Sequence, residues 1–150
     1  MPSSKFEWMR RVKAVEREHI ATRFAMDYLS AAVQRDPSRI GGDLRLRDFT
    51  DAAERLEGTY IVRLFAEFET CLRAFWLVAL GKLPPSRTRD LLDGVGARRR
   101  IPHDQIDNAH TVREYRNSLV HAAEEPPEPI SIDTARSRLC HYLSFLPITW

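Results

Sequence analysis

The strongest constraint on the fold is an apolar stripe at helical spacing that runs through residues 51–81. Asp51 and Glu54 are spaced as a capping box that would open the helix, and Gly81 is placed to end it. A helix of about 30 residues spans about 45 Å, which is too long for short helices to cover. Either a second long helix lies beside it, or part of its apolar width serves a partner chain. The stripe consists of Leu56, Tyr60, Leu64, Phe68, Leu72, Phe75 and Ala79, widened by Ile61, Phe65 and Trp76.

The rest of the chain carries further segments of the same periodicity, and none alternates in the manner of a β-strand. His19 completes the apolar seam of the first segment, where a core histidine is the expected interpretation. Prolines that follow the fourth segment end it. These patterns predict one all-α domain over residues 1–150, a helical bundle built on two long helices plus shorter helices. The further predicted helices cover residues 5–34, 86–100, about 102–123, and the stretch from a cap at Ser131 or Asp133 to about residue 146.

Composition narrows the possible partners and compartments. The 23 basic and 21 acidic side chains give a net charge of only +2, so any polyanion site must come from local clustering. The longest apolar stretch, residues 74–80, is too short to cross a bilayer, which predicts a soluble, cytoplasmic protein without membrane contact. Cys71 and Cys140 lie in apolar patterns and are expected to be buried free thiols. No histidine has metal-ligand spacing with cysteines or paired carboxylates, so we expect no metal and no cofactor.

The fourth helix carries the strongest chemical signal. At about 100° per residue, His110, Asn117 and His121 share a narrow arc that Arg113 and Arg116 flank. A solvated helix face would usually mix lysine and glutamate instead. Guanidinium groups neutralise a phosphodiester, and a histidine moves protons near neutral pH. This stripe therefore suits phosphate chemistry, although His110 as an ordinary surface residue and Arg113 as the partner of a carboxylate remain alternatives.

A second basic feature is the triplet Arg98, Arg99 and Arg100, with Arg87 and Arg89 nearby. A run of charges is usually only a solvated surface. If the chain acts on RNA, the three arginines of the triplet are the first candidates for holding the RNA backbone.

The segment Arg116-Asn117-Ser118-Leu119-Val120-His121 resembles the signature of the HEPN superfamily, the higher eukaryotes and prokaryotes nucleotide-binding domains, in which an arginine and a polar residue precede a histidine. The long helix before it, at residues 60–73, is also similar to the second helix of that family. The resemblance extends over roughly residues 45–146, and its specific part is six residues long. One toxin branch of the family has a tyrosine two residues after the histidine, where this chain has Ala123.

The resemblance implies a HEPN-like bundle and a metal-independent endoribonuclease of toxin or defence-effector type. It implies a homodimer whose two motifs face each other in one cleft, and an antitoxin or defence-system protein as a further partner. Arg116 would stabilise the scissile phosphate, His121 would be the general base or acid, and Asn117 would orient either group. Glu69, or Glu67 in its place, would approach the site and set an imidazole tautomer, and Arg113 and His110 of the stripe on the fourth helix would support it. The attack of the ribose 2′-hydroxyl would leave a 2′,3′-cyclic phosphate.

The competing hypothesis is a non-catalytic helical module that binds a nucleotide, an RNA or a protein as a regulatory partner. Some members of the family have lost activity, although the presence of both Arg116 and His121 favours an enzyme.

Overall fold

The computed structural model describes Pro2 and residues 4–150 and contains five α-helices. In this part of the chain there is no β-strand, so the all-α prediction is confirmed. None of the described helices is long and apolar enough to traverse a lipid bilayer. The helices are α1 (Lys5–Arg35), α2 (Leu46–Leu80), α3 (Thr88–Arg99), α4 (His103–Val120) and α5 (Ile132–Ser144).

The two long helices, α1 and α2, form an antiparallel pair. Cross-helix contacts run in opposite directions along the two, from Arg11 Nε with Glu67 Oε2 at 2.8 Å to Thr22 Oγ1 with Tyr60 Oη at 2.8 Å. Of the two alternatives for covering the long apolar stripe, the structure shows the first: α1 lies beside α2. Most of that stripe is buried, from Ile61 to Trp76.

The start of α2 differs from the prediction. The helix begins at Leu46, five residues before Asp51, because the backbone N–H of Arg45 donates to Asp48 Oδ2 at 2.7 Å and closes the first turn there. The predicted cap at Asp51 and Glu54 is therefore wrong. Gly81 does end the helix, with φ at +61° in the left-handed region.

The core lies at one end of the α1–α2 pair, where α3, α4 and α5 pack against it. Of the residues between positions 20 and 60, only Val33 is buried. The far halves of α1 and α2 therefore extend from the core as a two-helix arm. Large apolar side chains on this arm are exposed, with Phe24 and Tyr28 each 77 % accessible.

Three contacts help to position α3, α4 and α5. Tyr142 of α5 donates its hydroxyl to the carbonyl of Leu92 at 2.6 Å, which fixes α3 on α5. Gly96 of α3 lies so close to Ile106 of α4 that an added Cβ would meet its Cδ1 at 2.5 Å. The last helix opens at Ser131, whose Oγ accepts the N–H of Thr134 at 3.1 Å, as one of the two predicted caps requires.

Candidate functional site

Helix α4 is anchored to the core by one face. Ala109 and Val112 are fully buried on that face, and Tyr115 packs against the core at its edge. Leu119 has the helical spacing to continue this face but does not join it, because it is 40 % exposed and lies over Gly58 near the arm. The opposite side of α4 is therefore left to polar groups.

Arg116 lies half-buried on α4, with its guanidinium carbon 5.8 Å from the centre of the Phe65 ring. Its terminal NH1 donates to the amide oxygen of Asn117 at 3.1 Å. Its Nε is buried and has no hydrogen-bond partner within the part of the chain that the structure describes. An arginine held in this way keeps donors that are not spent on an ion pair.

Tyr115, which precedes Arg116 in the sequence, has a raised pKa. Burial raises the pKa of the Tyr115 hydroxyl, and the Glu57 carboxylate nearby raises it further. Tyr115 is therefore a neutral hydroxyl at physiological pH, and it adds no negative charge beside Arg116.

His121 lies just outside α4 rather than within it. The helix ends at Val120, and His121 has extended backbone angles with its N–H donating to the Asn117 carbonyl at 2.8 Å. The prediction that the helix continues to about residue 123 is wrong, since the chain turns into the proline-rich connection to α5. His121 is exposed, and its ring forms no hydrogen bond or ion pair with another described residue.

Asn117 connects the two motif residues. It accepts the hydrogen bond from Arg116, and its own side chain lines a shallow recess of about 200 Å³ together with His121. Glu114 and Pro127 form other parts of the same recess. Asn117 thus contacts Arg116 and also lines the recess of His121, whereas Arg116 itself does not line that recess.

His110 and Arg113 form a separate chain of contacts one to two turns earlier on α4. His110 Nε2 lies 2.7 Å from Asp93 Oδ1 of α3, and Arg113 Nε donates to His110 Nδ1 at 3.1 Å. A terminal nitrogen of Arg113 also lies 3.3 Å from Glu114 Oε1. Asp93 was not singled out from the sequence, because it is 17 positions from His110 on another helix and only packing brings the two together.

A cleft of about 710 Å³ opens between α3 and α4 beside this chain of contacts. It is lined by His110 and Arg113, by Arg89 and Arg100 from α3 and its end, and by apolar groups such as Ile106. Ligand clefts in proteins are typically of about this size and mix apolar walls with a few polar groups.

The arginine triplet does not act as one unit. The guanidinium of Arg98 stacks 4.3 Å from the Trp76 ring, and Arg99 Nε donates to the Phe145 carbonyl at 3.1 Å. Only Arg100 lines the cleft. The three neighbours therefore lie in three different environments.

Glu69 is placed with α3 rather than with an imidazole. Its Oε1 accepts hydrogen bonds from Arg73 at 2.7 Å and from Thr88 at 2.9 Å, and Arg73 also donates to the Pro85 carbonyl. Glu67, its alternative, pairs with Arg11. These contacts tie the end of α2 to the start of α3. The carboxylate that meets a histidine is that of Asp93.

Two cysteines and one histidine are buried away from these surfaces. Burial raises the pKa of the Cys71 thiol well above its usual range, and burial is also the main reason that the pKa of Cys140 is raised. Both cysteines are buried and free, as predicted. His19 is buried, as expected of a core histidine, but neither ring nitrogen has a hydrogen-bond partner among the described residues. The described residues contain no cluster of three or more histidine, cysteine or acidic side chains suited to a metal ion.

Comparison with known proteins gives no further assignment. No protein-family model matches the chain, and no curated protein and no solved structure is significantly similar to it. Function is therefore inferred from the side chains themselves.

Proposed function

We propose that this chain is a metal-independent endoribonuclease that uses Arg116 and His121. The observation that carries the proposal is the position of Asn117, which accepts a hydrogen bond from Arg116 and lines the same recess as His121. In this proposal a phosphodiester lies beside Asn117, where it meets both the Arg116 guanidinium, which forms no ion pair with a described residue, and the exposed His121 imidazole. This combination suits a phosphodiester better than it suits the packing of α4.

The proposed reaction is an attack of a ribose 2′-hydroxyl on the adjacent phosphorus. His121 takes the proton of the hydroxyl, the new bond from O2′ to phosphorus forms, and the bond to the 5′-oxygen breaks. The leaving oxygen takes up a proton, which gives a 2′,3′-cyclic phosphate and a 5′-hydroxyl end. Arg116 balances the additional negative charge on the phosphoryl oxygens in the transition state. The Asn117 amide holds the Arg116 guanidinium in position relative to the His121 imidazole.

A homodimer is part of the proposal. The reaction requires a base and an acid, and the recess of one chain presents a single imidazole, His121. A second copy facing the first would supply the other. Leu119 and Val120 beside His121 are 40 % and 48 % exposed, which is consistent with an apolar surface that the second copy covers. A cytoplasmic toxin or defence effector, restrained by a partner protein, is the setting that the HEPN resemblance implies.

The test is cleavage of single-stranded RNA by the purified protein in the presence of EDTA. We expect cleavage by the wild type with 2′,3′-cyclic phosphate ends, and a loss of about 10²- to 10⁴-fold in rate for His121→Ala, since general acid–base groups contribute that much. Arg116→Ala is expected to lose a comparable factor. The matched control is the double variant Arg47→Ala, His141→Ala. It removes an exposed arginine and an exposed histidine that line neither the recess of His121 nor the cleft between α3 and α4. Equal activity of the control and the motif variants would refute the assignment.

A non-catalytic RNA-binding module is the second candidate, and one observation favours it. The guanidinium of Arg116 packs on Phe65 with a buried Nε, which is a position that a purely structural arginine could also take. Binding of RNA without any cleavage by the wild type would select this alternative.

A further inference from the structure

We infer that the cleft between α3 and α4 is a phosphate-binding subsite for the RNA strand, built on Arg113, Arg100 and Arg89. The inference rests on the proposed function for its choice of RNA, but its side chains are separate from Arg116 and His121. Of the arginine triplet it selects Arg100 and leaves out Arg98 and Arg99.

The orientation of Arg113 follows from the hydrogen bonds of His110. Arg113 Nε can only donate, so His110 Nδ1 must accept, and the ring proton is therefore on Nε2, which donates to Asp93. Both ring nitrogens of His110 are occupied in this way. His110 is thus a positioning residue that holds the guanidinium of Arg113 at the cleft, and it is not a free base.

The backbone of Arg100 gives an independent indication. Arg100 ends α3 with φ at +52°, and it is the one non-glycine residue of the described chain with a positive φ. This left-handed conformation costs a side-chain-bearing residue about 1 kcal/mol relative to glycine. An arginine that tolerates this strain while lining a cleft is best explained by a use for its side chain there.

Some charged side chains of the cleft form ion pairs and others do not. Asp93 is engaged by His110, and Glu114 lies against Arg113. Arg89 and Arg100 line the same cleft and form no side-chain hydrogen bond or ion pair among the described residues, and the Asp107 carboxylate, which also lines it, is likewise without such a partner. Two unpaired guanidinium groups and an oriented third one therefore face the cleft, which is a set of donors suited to phosphate oxygens.

The position of the cleft connects it to the motif. Glu114 lines both the cleft and the recess of His121, so the two are adjacent on the surface of α4. Arg113 lies seven positions before Val120, the last residue of α4 and the neighbour of His121, which is about 10 Å along the helix. An RNA strand whose reacting phosphate lies at His121 would pass the cleft with a neighbouring phosphate.

The test measures binding separately from cleavage. The probe is a fluorescein-labelled eight-nucleotide RNA with 2′-O-methyl groups, which cannot supply the attacking hydroxyl, and the readout is fluorescence anisotropy in EDTA. Arg100→Gly removes the guanidinium and relieves the positive φ, so it should fold at least as well as the wild type. Arg99→Gln is the matched control, since it removes the same charge from the adjacent position outside the cleft.

We expect Arg100→Gly and Arg89→Gln each to raise Kd about tenfold, and each to lower the slope of log Kd against log salt by about 0.7. Arg99→Gln should stay within twofold of the wild type. With a cleavable RNA, Arg100→Gly should raise KM and leave kcat within twofold, whereas His121→Ala should lower kcat.

The outcomes separate the two proposals. Equal weakening by Arg99→Gln and Arg100→Gly, or no weakening by either, overturns the subsite even if Arg116 and His121 prove catalytic. Selective weakening without any RNA cleavage supports the subsite and defeats the ribonuclease. Adenosine monophosphate or inorganic phosphate that binds as tightly as the eight-nucleotide probe would show a small-molecule site and overturn the RNA assignment.

Discussion

Substitution of Gly96 by alanine tests how closely α3 and α4 pack where they form the cleft. Gly96 is buried inside α3, so alanine there should gain about 1 kcal/mol from helix propensity. The new Cβ would lie 2.5 Å from Ile106 Cδ1 and 3.0 Å from Cγ1. Overpacking of this kind costs about 1–3 kcal/mol, and Ile106 can give way only in part because it packs against the core. We expect a net loss of about 1 kcal/mol, which for a chain of this size lowers Tm by about 2–4 °C.

Gly58 provides the matched control, since it also lies inside a helix. An alanine there would meet only Leu119 Cδ2 at 3.2 Å, the mobile tip of a side chain that is 40 % exposed. Gly58→Ala should therefore stabilise the protein by about 0.5–1 kcal/mol. Ile106→Val removes Cδ1, and in the double variant it should recover about 1 kcal/mol of the Gly96→Ala loss. Urea unfolding followed by circular dichroism at 222 nm measures the wild type, the two glycine variants, Ile106→Val and the double variant. A Gly96→Ala variant as stable as Gly58→Ala would refute the steric reasoning.

Three further predictions concern the core and the arm. His19→Leu should stabilise the protein by about 1–2 kcal/mol in urea unfolding, because it removes two buried ring nitrogens without partners; a destabilised variant would reveal a partner for the imidazole. Burial raises the pKa of Tyr142 above its ordinary value of 10.0. The unfolded chain therefore loses this proton first, so the stability that Tyr142 contributes is intact below pH 10 and is lost as the pH rises above it. Unfolding free energies from pH 8 to 11 should fall less steeply for Tyr142→Phe, and parallel curves would contradict this. Phe24→Gln should change stability by less than about 0.5 kcal/mol, because the ring is 77 % exposed, and a larger loss in the same urea assay would show that the arm packs against something.

Much of the fold could be predicted because helices are local structures. The apolar period placed α1 and α2, and Gly81 and Ser131 marked an end and a start that the structure confirms. The start of α2 was misplaced because two acidic residues, Asp48 and Asp51, stand near its first turn and only one receives the free N–H. How the two long helices are covered was left open, since either α1 or a partner chain satisfies the same periodicity.

For the candidate site, the sequence determined that His110, Arg113 and Asn117 share one side of α4, because 3.6 residues per turn fix that relation within the helix. Tertiary structure alone decided that Asp93 forms a hydrogen bond with His110 and that Arg100 lines the cleft while Arg98 and Arg99 contact other groups. It also decided that His121 lies outside the helix. The physical reason is that a helical repeat specifies directions around one axis. The groups that those directions meet are contributed by other helices, and only packing of the whole chain brings them into contact.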